Sequence, residues 1–195
     1  MAEPMSDTQI LEALKRSEAI REGHFVLTSG RHSDTYVQCA RVLEDPALTT
    51  SLAFTAVARL PEGIGIDLVA APAVGGLIIG FAVAQALGVK FIFSERDGGR
   101  MTLRRSFEVP PGSRVLVVED VVTTGGSVAE LIDLIREQGG EVAAVVSLID
   151  RGGDKKFADP FMPLLKLEVD SWEPASCRLC EAGVPVYSPG SRRLG

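Results

Sequence analysis

Short apolar runs that alternate with segments of helical character constrain the fold of this chain more than any other feature. Continuously apolar strands are typical of a parallel sheet, since helices cover both of its faces and no strand needs a polar side. The pattern therefore predicts an α/β fold with a parallel central sheet flanked by helices. The predicted strands are DLVAA (67–71), VKFIF (89–93), RVLVV (114–118) and EVAAVVSLI (141–149), with helices at 75–87 and 127–138.

Smaller elements are predicted on either side of this core. Asp45 followed by Pro46 indicates an N-cap and a first helical residue, with the helix reaching about residue 60. Residues 24–39 predict two short strands around a polar Ser-Gly turn. We expect one domain over residues 1–195, with a core at about 46–150. A small hood would be formed by the N-terminal strands, at about 20–45, and by the C-terminal tail, 151–195.

Composition excludes several classes of protein. Apolar residues make up 46% of the 195 residues, which is enough for a full core. The net charge of −6 and the pI of about 5.0 argue against a general binder of nucleic acid or of membrane surfaces. The N-terminal segment has no basic region followed by an apolar core, and the longest apolar stretch is too short to span a bilayer. We expect a cytoplasmic protein with no nucleic-acid or membrane partner.

The segment VLVVEDVVTTGGS (115–127) carries the clearest chemical signal. Ligands of open parallel sheets bind beyond the carboxyl ends of the strands, and this segment joins such an end to a helix. Unpaired N–H groups at a helix N-terminus favour phosphate, and glycines let the backbone approach an anion closely. The segment therefore predicts a phosphate site, with glycines at Gly125 and Gly126 and hydroxyl donors at Thr123, Thr124 and Ser127.

Glu119 and Asp120 need a different partner, because carboxylates repel phosphate. They suit hydroxyl groups, a metal ion or a developing positive charge. A ligand with a phosphate at one end and vicinal hydroxyls beside it is a ribose 5-phosphate. The simpler interpretation is a turn with capping acids, which needs fewer polar groups than this segment has. Neither a P-loop nor a dinucleotide fingerprint is present in the sequence.

The segment 115–127 resembles the phosphoribosyl-pyrophosphate (PRPP) motif of type I phosphoribosyltransferases. Two further segments resemble those of orotate phosphoribosyltransferases: GHFVLTSGRHSDTYV (23–37) their N-terminal hood, and SLIDRGG (147–153) the strand end that supplies an orotate-binding arginine. The resemblance implies the type I fold and transfer of phosphoribosyl from PRPP to orotate in pyrimidine synthesis. The alternatives are a transferase for another base, such as a purine, and a regulator that senses PRPP without turnover.

The resemblance also implies roles for individual residues. Glu119 and Asp120 would be catalytic and hold the ribose hydroxyls, while Arg151 would pair with the orotate carboxylate near Thr123 and Tyr36. Mg²⁺ would be carried by PRPP, with no direct protein ligand. The remaining PRPP-binding residues would be Gly75 in the pyrophosphate loop, Arg96, and the cradle Val121, Val122, Thr123, Thr124, Gly125, Gly126 and Ser127.

Four arginines lie within ten residues of this acidic protein: Arg96, Arg100, Arg104 and Arg105. With Gly98 and Gly99 between them, they predict a pliable lid that closes on pyrophosphate, in which Arg100 and Arg104 are catalytic. Asp97 alone would not neutralise them, so they would repel one another until an anion binds. The resemblance implies that loop 96–105 reaches the neighbouring site of a homodimer. The alternative is a solvated basic loop.

The C-terminal CRLC (177–180) is a lone C-x-x-C. A zinc site needs about four ligands, and only Cys39, His24 and His32 remain as partners. The sequence therefore favours ordinary packing over a metal site or a redox pair, with structural roles for both histidines and no bound zinc. Thr28 stands where the family has a lysine before the Ser-Gly turn.

Overall fold

A six-stranded sheet forms the centre of the protein, for which the computed structural model describes residues 3–27 and 29–189. The strand order is β5-β4-β3-β6-β7-β8, and all neighbours are parallel except β5, which is antiparallel to β4. The predicted α/β class with a parallel central sheet is confirmed. The strands are β3 (Leu68–Pro72), β4 (Lys90–Asp97), β5 (Arg100–Leu103), β6 (Arg114–Val122), β7 (Glu141–Asp150) and β8 (Phe161–Lys166).

Helices cover both faces of this sheet, which explains why its strands are apolar throughout. Leu116 and Val118 of β6 pack in one cluster with α1 to α4, whereas Val115 and Val117 pack in a second cluster with α5. Asp45 caps α3 by accepting from two backbone N–H groups, as predicted. The helices are α1 (Asp7–Arg16), α2 (Ala40–Leu43), α3 (Pro46–Ala58), α4 (Gly76–Leu87) and α5 (Gly126–Glu137).

The hood is a separate three-stranded antiparallel sheet in the order β1-β2-β9. It consists of β1 (Ile20–Val26), β2 (His32–Val37) and β9 (Ser171–Trp172), followed by a 3₁₀ turn and the short helix α6 (Arg178–Glu181). The two predicted strands and the contribution of the tail are therefore present. Thr28, in the turn between β1 and β2, lies outside the described residues.

The boundary between core and tail differs from the sequence prediction. Strand β8 lies in the tail range 151–195, yet it pairs with β7 at the edge of the central sheet and buries Leu164. Pro163 lowers the strand signal of this run, and an edge strand tolerates it because one of its sides donates no hydrogen bonds to the sheet. Within the predicted hood range, α2 buries Val42 and Leu43 in the main core.

Strand β6 also runs further than predicted. Its parallel pairing with β7 continues through Glu119, opposite Ser147, and through Val121, opposite Ile149. The two acids therefore lie near the C-terminal end of a hydrogen-bonded strand and not in the loop that follows. None of the helices within residues 3–27 and 29–189 has the length and apolar character needed to cross a membrane.

Candidate active site

The backbone fixes the two acids at the end of β6. The Oε1 atom of Glu119 accepts a hydrogen bond from the backbone N–H of Asp120 at 3.0 Å. The Oδ1 atom of Asp120 accepts one from the N–H of Val121 at 2.7 Å. Glu119 is only 9% exposed. Each carboxyl group keeps a second oxygen for a ligand.

Burial and, to a smaller extent, the neighbouring charge of Asp120 raise the pKa of Glu119 to about 9, and the backbone hydrogen bond opposes part of this rise. At neutral pH Glu119 is therefore protonated in the free protein. A neutral carboxyl group both donates and accepts hydrogen bonds, which suits a ribose hydroxyl. A carboxyl group that is ionised in water but held neutral by burial is typical of a functional site.

The loop before α4 packs directly on the acid pair. A Cβ atom on Gly75 would lie 2.5 Å from Oδ1 of Asp120, and one on Gly76 would lie 2.8 Å from the carbonyl oxygen of Val118. A side chain at either position would require one of these neighbouring atoms to move. Helix α4 has no side-chain cap at its N-terminus, although the N–H of Leu77 donates to the carbonyl oxygen of Val74 at 3.3 Å, so side chains leave the other N–H groups of the first turn open to an anion. The structure thus brings Gly75 next to Asp120 and Gly76 next to Glu119.

The loop between β6 and α5 has the geometry expected of an anion cradle. Gly125 has φ +71°, and a Cβ atom there would lie 2.4 Å from the Phe157 ring. Helix α5 has no side-chain cap either, so its N-terminal N–H groups and its dipole face the loop. A single small cavity is lined by Glu119, Val121, Val122, Thr123, Gly125, Gly126, Ser127 and Val128. The structure therefore brings together most of the predicted cradle; Thr124 contributes its carbonyl oxygen to the N–H of Lys156 instead.

Arg151 follows β7 and lies beside this cradle. Its backbone N–H donates to the carbonyl oxygen of Val122 at 2.8 Å. Its Nε is buried and has no hydrogen-bond partner among the described residues. Burial lowers the pKa of the guanidinium, and the nearby hydroxyl of Tyr36 opposes that shift. Arg151 and Tyr36, both predicted to bind the base, are thus neighbours, and a buried donor is available for an anion.

Two lysines after β7 were missed by the sequence analysis. The Nζ of Lys155 contacts Oδ1 of Asp150 at 2.6 Å and the carbonyl oxygen of Gly152 at 2.9 Å, which orders the turn that holds Arg151. The Nζ of Lys156 lies 4.0 Å from the position of a Cβ on Gly126, so it adds a positive charge at the N-terminus of α5. The sequence signal was the adjacent pair of lysines directly after the RGGD turn.

The arginine segment is a β-hairpin, and the prediction of a pliable loop was wrong in this respect. Gly98 and Gly99 have φ values of +54° and +87°, as the tight turn between β4 and β5 requires. The hairpin forms because both glycines allow a two-residue turn between strands. It also places carboxylates of β4 and α5 next to the guanidinium groups.

Carboxylate groups pair with three of the four arginines in this segment. Arg96 makes a bidentate pair with Glu130 at 2.8 and 2.9 Å. Arg105 pairs with Glu95 at 3.0 and 3.1 Å. Arg104 lies 4.0 Å from Asp97. The prediction that Asp97 faces four arginines alone was therefore wrong. In the described parts of the chain Arg100 makes no ion pair, and neither Arg100 nor Arg104 contacts the acid pair.

Comparison with known proteins agrees with this site. Residues 40–174 match the family described as the phosphoribosyl transferase domain, which places the chain in the class of phosphoribosyltransferases. Over 190 residues the chain is 53% identical to the orotate phosphoribosyltransferase of Heliobacterium modesticaldum, covering 96% of this chain and 100% of that protein. With this identity over nearly its whole length, the chain belongs to the orotate phosphoribosyltransferase family.

Solved structures show the same architecture. The crystal structure of orotate phosphoribosyltransferase from Aeropyrum pernix has a TM-score of 0.70 and 28% identity, covering 81% of this chain and 93% of that one. Adenine phosphoribosyltransferase from Thermoanaerobacter pseudethanolicus has a TM-score of 0.59 and 24% identity, covering 68% of this chain and 88% of that one. Because enzymes for two different bases share the fold, the fold alone does not decide which base is used.

Proposed function

We propose that this protein transfers the phosphoribosyl group of PRPP to N1 of orotate, giving orotidine 5′-monophosphate and pyrophosphate. The observation that carries the choice of base is the buried, unpartnered Nε of Arg151 beside the phosphate cradle. A guanidinium group pairs bidentately with a carboxylate, which orotate has and purine bases lack. The membership of the family supports the same substrate.

Different residues bind different parts of the two substrates. The cradle 123–127 and the N-terminus of α5 hold the 5-phosphate, with Lys156 adding positive charge. Glu119 and Asp120 hold the ribose hydroxyls, and Asp120 also stabilises positive charge at the anomeric carbon. The open N-terminus of α4 at Gly75 faces the pyrophosphate. Arg151 orients orotate through its carboxylate, so that N1 points at the sugar.

The reaction is a substitution at the anomeric carbon. The N1–carbon bond forms as the carbon–oxygen bond to pyrophosphate breaks, the electron pair of that bond leaves with pyrophosphate, and the proton of N1 is released to water or to the departing pyrophosphate. Orotate is already anionic, so no side chain has to act as a nucleophile. Positioning by Glu119, Asp120 and Arg151, together with charge stabilisation by Asp120, supplies the catalysis. Mg²⁺ carried by PRPP would neutralise charge on the leaving group, and the carboxyl oxygens of Glu119 and Asp120 beside the sugar match its preference for oxygen surroundings.

A homodimer is part of this proposal, and the exposed face of α4 supports it. Val74, in the turn before α4, is 80% exposed, and Ile78 and Phe81, three residues apart on one side of the helix, are 53% and 60% exposed. An exposed apolar patch of this kind is typical of a protein interface. The patch begins next to Gly75, so a second copy docked there would lie beside the acid pair. Its Arg100 hairpin would then be available to the neighbouring pyrophosphate.

Separate incubations with PRPP, Mg²⁺ and one base at a time test the proposal. Orotate should release pyrophosphate and give one nucleotide product, whereas adenine, hypoxanthine and uracil should give none. Turnover with a purine would show that orotate is not the base and would assign a purine base to the reaction. Binding of PRPP without turnover of any base would favour the regulator that senses PRPP. A role in pyrimidine synthesis and a cytoplasmic location follow as predictions from the assigned reaction.

A further inference from the structure

Four potential metal ligands converge in the hood, away from the acid pair. Nε2 of His24, Nδ1 of His32 and the Sγ atoms of Cys177 and Cys180 all lie within 4.8 Å of one another. Two imidazole nitrogens and two thiolates form the ligand set of a tetrahedral structural zinc site. We propose that these residues bind one zinc ion, which fastens the C-terminal tail to the hood.

The separations between the ligand atoms fit such a site. His24 Nε2 lies 3.4 Å from Sγ of Cys177 and 3.7 Å from Sγ of Cys180, and His32 Nδ1 lies 3.3 Å from Sγ of Cys180. Zinc bonds of normal length give tetrahedron edges of roughly 3.4–3.8 Å. The two nitrogens are 2.9 Å apart, a separation that a small ring rotation brings into this range.

The first histidine is oriented as a metal ligand should be. Nδ1 of His24 lies 2.8 Å from the carbonyl oxygen of Val184, which can only accept a hydrogen bond. Nδ1 therefore carries the proton, and the lone pair of Nε2 points at the cluster. A carbonyl group that holds the second nitrogen is the usual outer partner of a histidine bound to zinc.

The surroundings also suit a structural metal. His24 and His32 are 3% and 8% exposed, Cys177 is fully buried, and Cys180 lies at the surface, where an ion can enter. Two thiolates balance the charge of Zn²⁺, so the bound site would be neutral. A closed set of four protein ligands leaves no open position for substrate, which indicates a structural role and not a catalytic one.

The tail buries few apolar side chains, and the ion pairs that join it to the hood, Arg31 with Glu173 and Arg178 with Asp34, lie at the surface. Within residues 167–189, all of which the structure describes, Cys177 is the only fully buried apolar side chain. Strand β9 contributes two paired residues, opposite His32 and Ser33. Small units without a core of their own commonly depend on a metal for stability. Because β2 also carries Tyr36, next to Arg151, a metal in the hood would also stiffen one wall of the proposed base pocket.

The sequence analysis favoured packing because it counted ligands by spacing. The histidines are eight residues apart and more than 140 residues before the cysteines, which is not the spacing of a known zinc motif. The register of the β1–β2 hairpin brings the two histidines together, since His32 pairs with Val26, two residues after His24. The pairing of β9 with β2 brings the tail that carries the cysteines to the same sheet. A bulge between Glu22 and Phe25 lets the adjacent His24 and Phe25 both be buried.

Elemental analysis of the untagged full-length protein, purified under reducing conditions, tests the proposal. We expect about one zinc per chain, and less than about a tenth of that in Cys180→Ser and His32→Asn. Cys39→Ser is the matched control, because Cys39 is a free cysteine outside the cluster, and it should keep its zinc. Zinc that persists in both cluster variants would overturn the assignment.

A second measurement on the wild-type protein does not depend on the folding of variants. After removal of zinc by a chelator under reducing conditions, the melting temperature should fall. Zinc should restore it, whereas Mg²⁺ should not. Cobalt(II) should bind at one equivalent and produce tetrahedral visible bands with thiolate charge-transfer absorption. If the protein is purified without metal, its cysteines are first reduced and cobalt(II) is then added. Absence of the cobalt bands from this reduced protein overturns the proposal, also where the cysteines had been joined in a disulfide before reduction.

Discussion

Replacement of Glu119 by glutamine should stabilise the fold. The folded-state pKa of Glu119 is raised from 4.5 to about 9, so at pH 7 the folded protein holds a proton that the unfolded chain has released. Holding this proton costs roughly 1.36 kcal/mol for each of about 2.5 pH units, or about 3 kcal/mol at pH 7. Glutamine is neutral in both states and has nearly the same shape, and its amide oxygen can still accept from the N–H of Asp120.

The effect should depend on pH in a defined direction. Between pH 4.5 and about 9 the folded protein binds more protons than the unfolded chain, so the free energy of unfolding of the wild type falls as pH rises. The advantage of Glu119→Gln should therefore be small at pH 5 and grow several-fold by pH 8. For a chain of this size, about 3 kcal/mol corresponds to a rise of roughly 6–12 °C in melting temperature at pH 7.

Thermal unfolding of both proteins at pH 5, 7 and 8 measures this advantage. Glu62→Gln is the matched control, because Glu62 is exposed after α3 and should give the wild-type profile at every pH. If Glu119→Gln is no more stable than the wild type at pH 8, or if its advantage does not grow with pH, then Glu119 is not held as a buried neutral acid. Loss of transfer activity in the more stable variant would identify Glu119 as a residue kept for function.

Three further predictions concern the reaction. Asp120→Asn should keep the fold and lose about 2–4 kcal/mol of transition-state stabilisation, measured as kcat/KM, because a charge-assisted contact to the reacting sugar is lost; near-normal turnover by the folded variant would exclude this role. Arg151→Ala should weaken orotate binding far more than PRPP binding in separate titrations, and equal losses would indicate a structural role. A subunit with Arg100→Ala and Arg104→Ala and a subunit with Asp120→Asn should rescue each other on mixing, to roughly a quarter of wild-type activity under random reassortment. Verified hybrid dimers without recovery would show that the hairpin does not act across the interface.

The sequence predicted the central sheet well because burial on both faces leaves an uninterrupted apolar signal. The starts of β3, β4, β6 and β7 lie within a residue of the predicted ones. Strand β8 was missed because Pro163 weakens its pattern, and its pairing with β7 depends on a neighbour that no local window contains. The continuation of β6 through the acids was missed for the same reason.

The site was predictable where its residues are contiguous and not where they meet through folding. Residues 119–127 form one segment, and most of them line one cavity. The ion pair of Arg96 with Glu130 joins positions 34 apart, so the charge balance of the hairpin was not visible in the sequence. The Gly98-Gly99 turn was a usable hairpin signal that charge counting obscured. The histidine and cysteine cluster needed the strand register of the hood.

The contact between Gly75 and Asp120 has a consequence for how this chain can change by mutation. Gly75 has φ −59° and ψ −46°, an ordinary helical conformation that any residue adopts. Its glycine is therefore demanded by the neighbouring carboxylate, 2.5 Å from where a Cβ would lie, and not by its own backbone. A side chain at position 75 would therefore have to displace this carboxylate, which we propose binds the sugar. A substitution at position 75 should disturb the proposed sugar site although the backbone at this position would accept any residue.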